Sequence, residues 1–185
     1  FHTLFNLLGV VLMLPLVNTL VTWLERLLQE DRTLGDQPRY LSDASLSLPE
    51  VALQAVAKET RHLFSNAFTI IAHGVCLRRA SIVSEEDLQQ LVEQRGKIIE
   101  LDMDEQYARM IKDIYGANIE FLSRAQAEAT HEYAEAYNAM RRANTDVVAA
   151  IKAVKHLRKN LLYYMQSDNR HIRREYNRFR VRIGE

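Results

Sequence analysis

The first 24 residues carry no Lys, Arg, Asp or Glu, and the first charged side chain is Glu25. An α-helix of this length covers about 36 Å, enough to cross a hydrocarbon core of about 30 Å. Polar side chains within it, such as Asn6 and Asn18, would need neighbouring helices as partners, because lipid does not solvate them. The pattern therefore predicts a transmembrane helix over residues 1–27.

Two other structures are compatible with this apolar opening segment. One is a helix buried in a soluble core, although such helices are usually shorter and carry a polar stripe. The other is a targeting peptide, but secretory signals begin with Met and a basic region and end at a small-x-small cleavage site. Since the chain opens with Phe1 instead of Met, we expect it to be a piece of a longer protein. Positive charges follow the segment and none precedes it, so the remainder is expected in the cytoplasm.

Amphipathic helices are predicted after a linker at residues 28–48, because apolar residues then recur at three- and four-residue spacing. Pro49 is typical of a first helical position, and the pattern extends this helix to about Ala80. Ser84 followed by Asp87 resembles a capping box that begins the next helix. Apolar residues then recur in heptad spacing from Val92 to Phe121.

The most regular periodicity lies near the C-terminus and predicts the seam of a helical bundle. Its positions are Ala143, Val147, Ala150, Val154, Leu157, Leu161 and Tyr164. The following Ser-Asp-Asn can cap a last helix, whose stripe would be Ile172, Tyr176, Phe179 and Ile183. No strand pattern occurs, and glycine and proline are rare. The predicted fold class is all-α: an N-terminal transmembrane helix followed by an antiparallel helical bundle over residues 49–185, which could be truncated at its C-terminus.

The charge balance gives no general reason to expect a nucleic-acid partner, because 24 basic residues match 24 acidic ones. The distribution is uneven: residues 84–138 are mainly acidic and residues 152–182 mainly basic. Acidic and basic helices could neutralise each other, or the basic segment could face phosphorylated material or anionic lipid. The single cysteine, Cys76, excludes an internal disulfide and a cysteine metal cluster.

Motifs for catalysis are absent from the sequence. It contains no glycine-rich phosphate loop, no H-E-x-x-H and no G-x-S-x-G, so we expect no enzyme. His62 and His73 lie eleven residues apart on one predicted helix, about 16 Å, too far for one metal ion to bridge. Glu100 and Asp104 are four residues apart and would share a helical face, where they could hold a metal ion or form a solvated acidic surface.

Several short motifs resemble, in their order along the chain, the C-terminal part of bacterial sodium/phosphate cotransporters. The opening Phe1-His2-Thr3-Leu4-Phe5-Asn6, which runs into Leu14-Pro15-Leu16, is similar to the last membrane helix of that family. The positions that resemble its cytoplasmic PhoU-like domain are Arg39-Tyr40-Leu41, Leu48-Pro49, Ala57, Glu59, Arg61, Ile151-Lys152, Lys155-His156-Leu157, Lys159-Asn160-Leu161, Ile172-Arg173, Tyr176-Asn177 and Arg180.

The resemblance implies a fragment of a sodium-dependent inorganic phosphate transporter in the bacterial inner membrane, with a regulatory or structural PhoU-like domain in the cytoplasm. Its implied partners are the other transmembrane helices of the parent, phosphate and sodium ions for the parent, membrane lipid and a second copy of the chain in a homo-oligomer. The transport site of the family lies in earlier Gln- and Ser-rich repeats that this sequence lacks. PhoU-like domains also carry Glu/Asp-x-x-x-Asp metal motifs, for which Glu100 to Asp104 is the strict match and Glu128…Glu132 an altered one.

A second hypothesis comes from a different class of function. The acidic and basic helices could dock a protein partner, which would make the chain a signalling adaptor of phosphate regulation without a transport role.

Overall fold

A computed structural model of the chain divides it into two compact units, residues 1–34 and 35–185. The residues that it describes are 17, 19, 35–84, 87–94, 98–128 and 131–185. The predicted transmembrane helix over residues 1–27 therefore lies outside the described residues, except for positions 17 and 19. Among the residues described, no helix combines the length and the apolar character needed to cross a membrane.

The second unit is built from α-helices, and its described residues include no strand, which confirms the all-α prediction. A short 3₁₀ helix, Asp43–Ser47, precedes the first α-helix. The α-helices are α1 Pro49–Gly74, α2 Arg79–Val83, α3 Leu88–Gln94, α4 Met103–Met110, α5 Lys112–Glu128, α6 His131–Met165 and α7 Arg170–Gly184.

Helix α1 is the centre of the bundle, since it packs most extensively on α6 and also on α5, α4 and the 3₁₀ helix. A large core cluster forms around the C-terminal half of α1 and includes the fully buried Leu63 and Ile70. A smaller cluster joins the N-terminal half to the 3₁₀ helix, α5 and α6 through Val56 and Tyr137. Burying one large aliphatic side chain contributes about 1.5–3 kcal/mol, so these contacts stabilise the unit.

Three polar side chains from three helices meet in the interior. The Nδ2 group of Asn118 donates to Oδ1 of Asn144 at 2.7 Å, and Nδ2 of Asn144 donates to Oγ1 of Thr60 at 2.8 Å. Both asparagines are fully buried. Because a misaligned helix would leave these groups unpaired, they favour one register of α1, α5 and α6.

The first bundle helix begins where Pro49 predicts, but it ends at Gly74 and not near Ala80. The N–H of Leu77 donates to the carbonyl of Ala72, and the N–H of Cys76 to that of His73, which is a Schellman motif. Cys76 adopts the left-handed conformation that this motif requires, with φ of 57°. The chain therefore turns out of α1 before it enters α2.

The heptad spacing from Val92 to Phe121 suggests one long helix. That prediction is wrong, because the structure divides these residues among α3, α4 and α5. Asp87, and not Ser84, is the N-cap of α3: its Oδ1 accepts from the N–H groups of Gln89 and Gln90. Ser84 instead follows the end of α2.

The predicted seam of α6 is displaced by one residue over most of its length. The positions actually buried are Tyr137, Asn144, Val148, Ile151, Val154, Arg158, Leu161 and Met165. Only Val154 and Leu161 belong to both sets, because the prediction omitted the polar Asn144 and Arg158. The stripe predicted on α7 is wrong in its second half: Tyr176 packs against the core, but Phe179 is 50% exposed, whereas Arg180 is 1% exposed.

Candidate functional site: a carboxylate–histidine junction

The segment formed by residues 35–41, here called the leading segment, is bound to α1 through the carboxylate of Glu59. Its Oε2 accepts hydrogen bonds from the backbone N–H groups of Arg39 and Tyr40, both at 2.7 Å. Glu59 is completely buried, although it lies within a helix whose neighbouring buried residues are apolar. A buried carboxylate needs such donors, because desolvation strongly disfavours an unpaired charge. The described part of the predicted linker, residues 35–48, thus belongs to the compact unit.

His62 lies one turn further along α1 and bridges two carboxylates. Its Nδ1 is 2.7 Å from Oε1 of Glu59, and its Nε2 is 2.8 Å from Oδ2 of Asp36. Each ring nitrogen of His62 therefore lies within hydrogen-bond distance of a carboxylate oxygen. The histidine is then occupied on both sides, which leaves neither nitrogen available as a metal ligand or a general base.

Asp36 joins the leading segment to the C-terminal end of α4 as well as to α1. Burial raises the pKa of Asp36, but hydrogen bonds from Asn66, Arg39 and His62 outweigh this effect and lower it to about 2. The backbone N–H of Asp36 donates to the carbonyl of Arg109 at 2.7 Å. We call the cluster of Asp36, Glu59 and His62 the junction.

Two of the last carbonyls of α4 are satisfied at this place, which explains why α4 and α5 are separate helices. The amide of Asn66 donates to the carbonyl of Met110 at 3.0 Å, next to the bond that Arg109 accepts from Asp36. A Cβ atom added to Gly35 would lie only 2.7 Å from the carbonyl oxygen of Arg109. Glycine is therefore needed where the leading segment meets α4.

The outer side of the junction opens into a shallow, positively charged groove of about 470 Å³ lined by Tyr40, Lys58, Arg61, His62 and Ser65. The ring of Tyr40 lies edge-on to that of His62, with 6.4 Å between the ring centroids. The junction itself consists of two carboxylates and one imidazole ring, and its carboxylate oxygens attach the leading segment to α1 by hydrogen bonds.

A second polar cluster lies at the other end of α1, where two buried arginines bind the helix C-terminus. Arg158 of α6 donates from Nη1 to the carbonyls of His73 and Gly74, and from Nη2 to that of Ile99. Arg180 of α7 donates to the carbonyls that come next in the chain, those of residues 75 and 76. Burial lowers the pKa of Arg180, but a guanidinium remains charged in proteins. The negative end of the α1 dipole and its unpaired carbonyls favour these cations.

The carboxylates that the sequence singled out do not share a helical face. Helix α4 begins at Met103 with Asp102 as its N-cap, so Glu100 precedes the helix while Asp104 lies in its first turn. Both are exposed, and Asp104 forms an ion pair with Lys155. The shared face is therefore wrong, and metal binding by this pair stays a prediction. Throughout the part of the chain that the structure describes, no three His, Cys, Asp or Glu residues are placed to hold a metal ion.

The altered motif at Glu128 and Glu132 is also divided, because the first is the last residue of α5 and the second belongs to α6. Sequence reasoning overlooked the junction and the two arginine contacts. A signal for them existed: Glu59, Arg158 and Arg180 each occupy a position that continues an apolar stripe, where a charge needs a specific partner.

Comparison with protein families, with characterised proteins and with solved structures found no significant match.

Proposed function

We propose that the chain is the C-terminal part of a bacterial sodium-dependent phosphate transporter, with its last membrane helix at residues 1–27 and a PhoU-like regulatory or structural domain at residues 49–185. In this proposal the preceding membrane helices of the parent bind sodium and phosphate, and the helical unit is cytoplasmic. The all-α architecture of residues 35–185 is the fold that the resemblance implies.

The observation that carries the proposal is that the residues of the resemblance contact one another. Arg39 and Tyr40 donate backbone hydrogen bonds to Glu59, which joins two separate motifs. In the later part of the chain, Nη1 of Arg180 donates to Oδ1 of Asn177 at 3.1 Å. These motif residues thus make the contacts that shape the domain, as expected if they are a signature of its fold.

The junction gives the domain a route of communication with the transporter. The leading segment follows the predicted membrane helix in the chain and lies within the predicted linker, and the junction holds it to α1 through two carboxylates and one histidine. A displacement of the preceding chain would therefore act first on α1, the central helix of the bundle. Conversely, a ligand of the bundle that moves α1 would act on the segment that leads to the membrane.

The proposal is tested with the full-length parent protein in sealed proteoliposomes, by the uptake of radiolabelled phosphate with and without a sodium gradient. We expect sodium-dependent uptake, an altered rate for Glu59→Ala, and an unchanged rate for the matched control Glu135→Ala, which removes an exposed carboxylate from α6. A parent protein that carbonate washes off membranes, or that gives no sodium-dependent phosphate flux, would contradict the proposal.

The adaptor hypothesis is favoured by one feature of the surface. Phe64 of α1 is 57% exposed and stacks on Phe68, an arrangement suited to contact with a protein partner. If removal of the residues after Leu48 abolishes binding of a partner in pull-down experiments and leaves phosphate flux unchanged, the adaptor role is the correct one. A changed flux favours the transporter.

A further inference from the structure

Helices α3 and α7 enclose a groove of about 640 Å³ whose walls are dominated by arginine. Five arginines of α7 line it, and every one is exposed: Arg170, Arg173, Arg174, Arg178 and Arg182. Two carboxylates, those of Glu93 and Glu185, also reach the groove. Its charge is therefore strongly positive even when both carboxylates are ionised.

Four of these arginines form a regular row, which we call the arginine stripe: Arg170, Arg174, Arg178 and Arg182. Residues four apart lie on the same face of a helix and about 6 Å apart along its axis, so the stripe extends over about 18 Å. Arg178 pairs with Glu175. The side chains of the other three members form no hydrogen bond or ion pair with any residue that the structure describes. The buried Arg180 is separate, because it binds the end of α1.

The position of the stripe on α7 makes an anionic ligand favourable. The N-terminus of a helix carries a partial positive charge, and three arginines, Arg170, Arg173 and Arg174, lie in its first turns. Positive side chains there repel the dipole and each other, whereas a bound anion would relieve both effects. Val92 and Val181 form apolar parts of the wall, and a less polar environment strengthens the attraction between guanidinium and anion.

We propose that the arginine stripe binds an extended anion that carries several phosphate groups. Guanidinium forks bind phosphate in a bidentate manner, and an array of four along about 18 Å is longer than one phosphate ion needs. A soluble linear polyphosphate and the headgroups of anionic phospholipids both present such a row. Nucleic acid fits less well, because none of the described residues that line the groove is aromatic and could stack on bases. The inference is independent of the proposed transport function.

The experiment mixes the full 185-residue chain with lipid nanodiscs and measures by mass spectrometry how fast phenylglyoxal modifies each arginine. In phosphatidylcholine discs, we expect added linear polyphosphate to protect the stripe more strongly than an equal concentration of orthophosphate. Protection in phosphatidylglycerol discs without polyphosphate identifies a membrane source of the ligand. Because the sites are exposed, added salt should weaken protection in both arms.

Matched variants decide whether the stripe is responsible. Arg170→Gln combined with Arg174→Gln should weaken polyphosphate binding about tenfold, since two of the four cations are lost. Arg142→Gln combined with Lys152→Gln removes the same charge from exposed sites of α6 and should leave binding unchanged. The inference is overturned by absent protection in both kinds of disc, by equal losses for the two double variants, or by equal or stronger binding of poly-glutamate or single-stranded RNA.

Discussion

Replacing Glu59 with alanine removes the acceptor that holds the leading segment to the bundle. Its carboxylate accepts hydrogen bonds from two backbone N–H groups and from His62, at distances of 2.7 Å. Without this carboxylate, the backbone N–H groups of Arg39 and Tyr40 lose their hydrogen-bond acceptor, and His62 keeps only its hydrogen bond to Asp36. The cavity left by the side chain also removes contacts within α1 and its neighbours.

The expected loss of stability is about 2–4 kcal/mol. Hydrogen bonds to a charged group contribute about 1.5–3 kcal/mol each, so the two backbone bonds together contribute about 3–6 kcal/mol. Removing a buried carboxylate also removes its desolvation cost, which offsets part of this sum. Glu59→Gln should be intermediate, because its oxygen can serve the backbone N–H groups while its NH₂ faces an N–H of His62.

The assay is urea unfolding of the 185-residue chain in detergent micelles, followed by circular dichroism, together with hydrogen exchange at the amides of Arg39 and Tyr40. The control is Glu135→Ala, which removes an exposed carboxylate from α6 and should change stability by less than about 0.5 kcal/mol. The reasoning is refuted if Glu59→Ala unfolds like this control and both amides keep their protection.

Three further substitutions test other parts of the structure. A Cβ at Gly74 would lie 2.5 Å from Cγ1 of Val154, so Gly74→Ala should lower the free energy of unfolding by about 1–3 kcal/mol. The loss caused by Gly74→Ala should be smaller in a Val154→Ala background, which a double-mutant cycle of urea unfolding measures. The folded-state pKa of Asp36, about 2, is below its ordinary value of 3.8. The contribution of Asp36 to the free energy of unfolding is therefore fully present above about pH 4 and disappears as the pH falls through about 2. This contribution, about 1–2 kcal/mol after solvent screening, should be absent from the pH profile of Asp36→Asn. Arg180→Lys should lower the midpoint of thermal unfolding by several degrees, because one ammonium group cannot replace the guanidinium fork, whereas Arg174→Lys on the surface should not.

Local signals in the sequence predicted the helical class and several helix ends. Pro49 marks the start of α1, and Asn169 caps α7 by accepting from the N–H groups of His171 and Ile172. These features depend on a few neighbouring residues, so a linear pattern contains them. The end of α1 was missed, since a left-handed cysteine at position 76 takes the place where glycine is the usual signal.

The register of α6 could not be derived from apolar periodicity alone. Asn144 and Arg158 are buried because Thr60 and the carbonyls at the end of α1 provide their hydrogen bonds. These partners lie 84 residues away in the sequence. A pattern built from apolar residues alone places the seam at neighbouring positions, which are partly exposed in the structure.

The junction was invisible for the same reason. The three-residue spacing of Glu59 and His62 can be read from the sequence, but the position of Asp36, 26 residues before His62, cannot. Sequence composition suggested a linker for this region, because it is rich in turn-forming residues. The hydrogen bonds of Glu59, together with the apolar contacts of Leu41 and Leu46, hold it against the bundle.

The arginine contacts at the end of α1 have a consequence for synthesis of the protein. Arg180 emerges from the ribosome 105 residues after the carbonyl of Val75 to which it binds. At about 5–20 residues per second, translation of that interval takes roughly 5–20 s. During this time water must solvate the carbonyls of Val75 and Cys76, so the turn that follows α1 lacks its arginine anchor. A chain stalled before Arg180 should accordingly be cut by protease near Cys76, while the released chain resists.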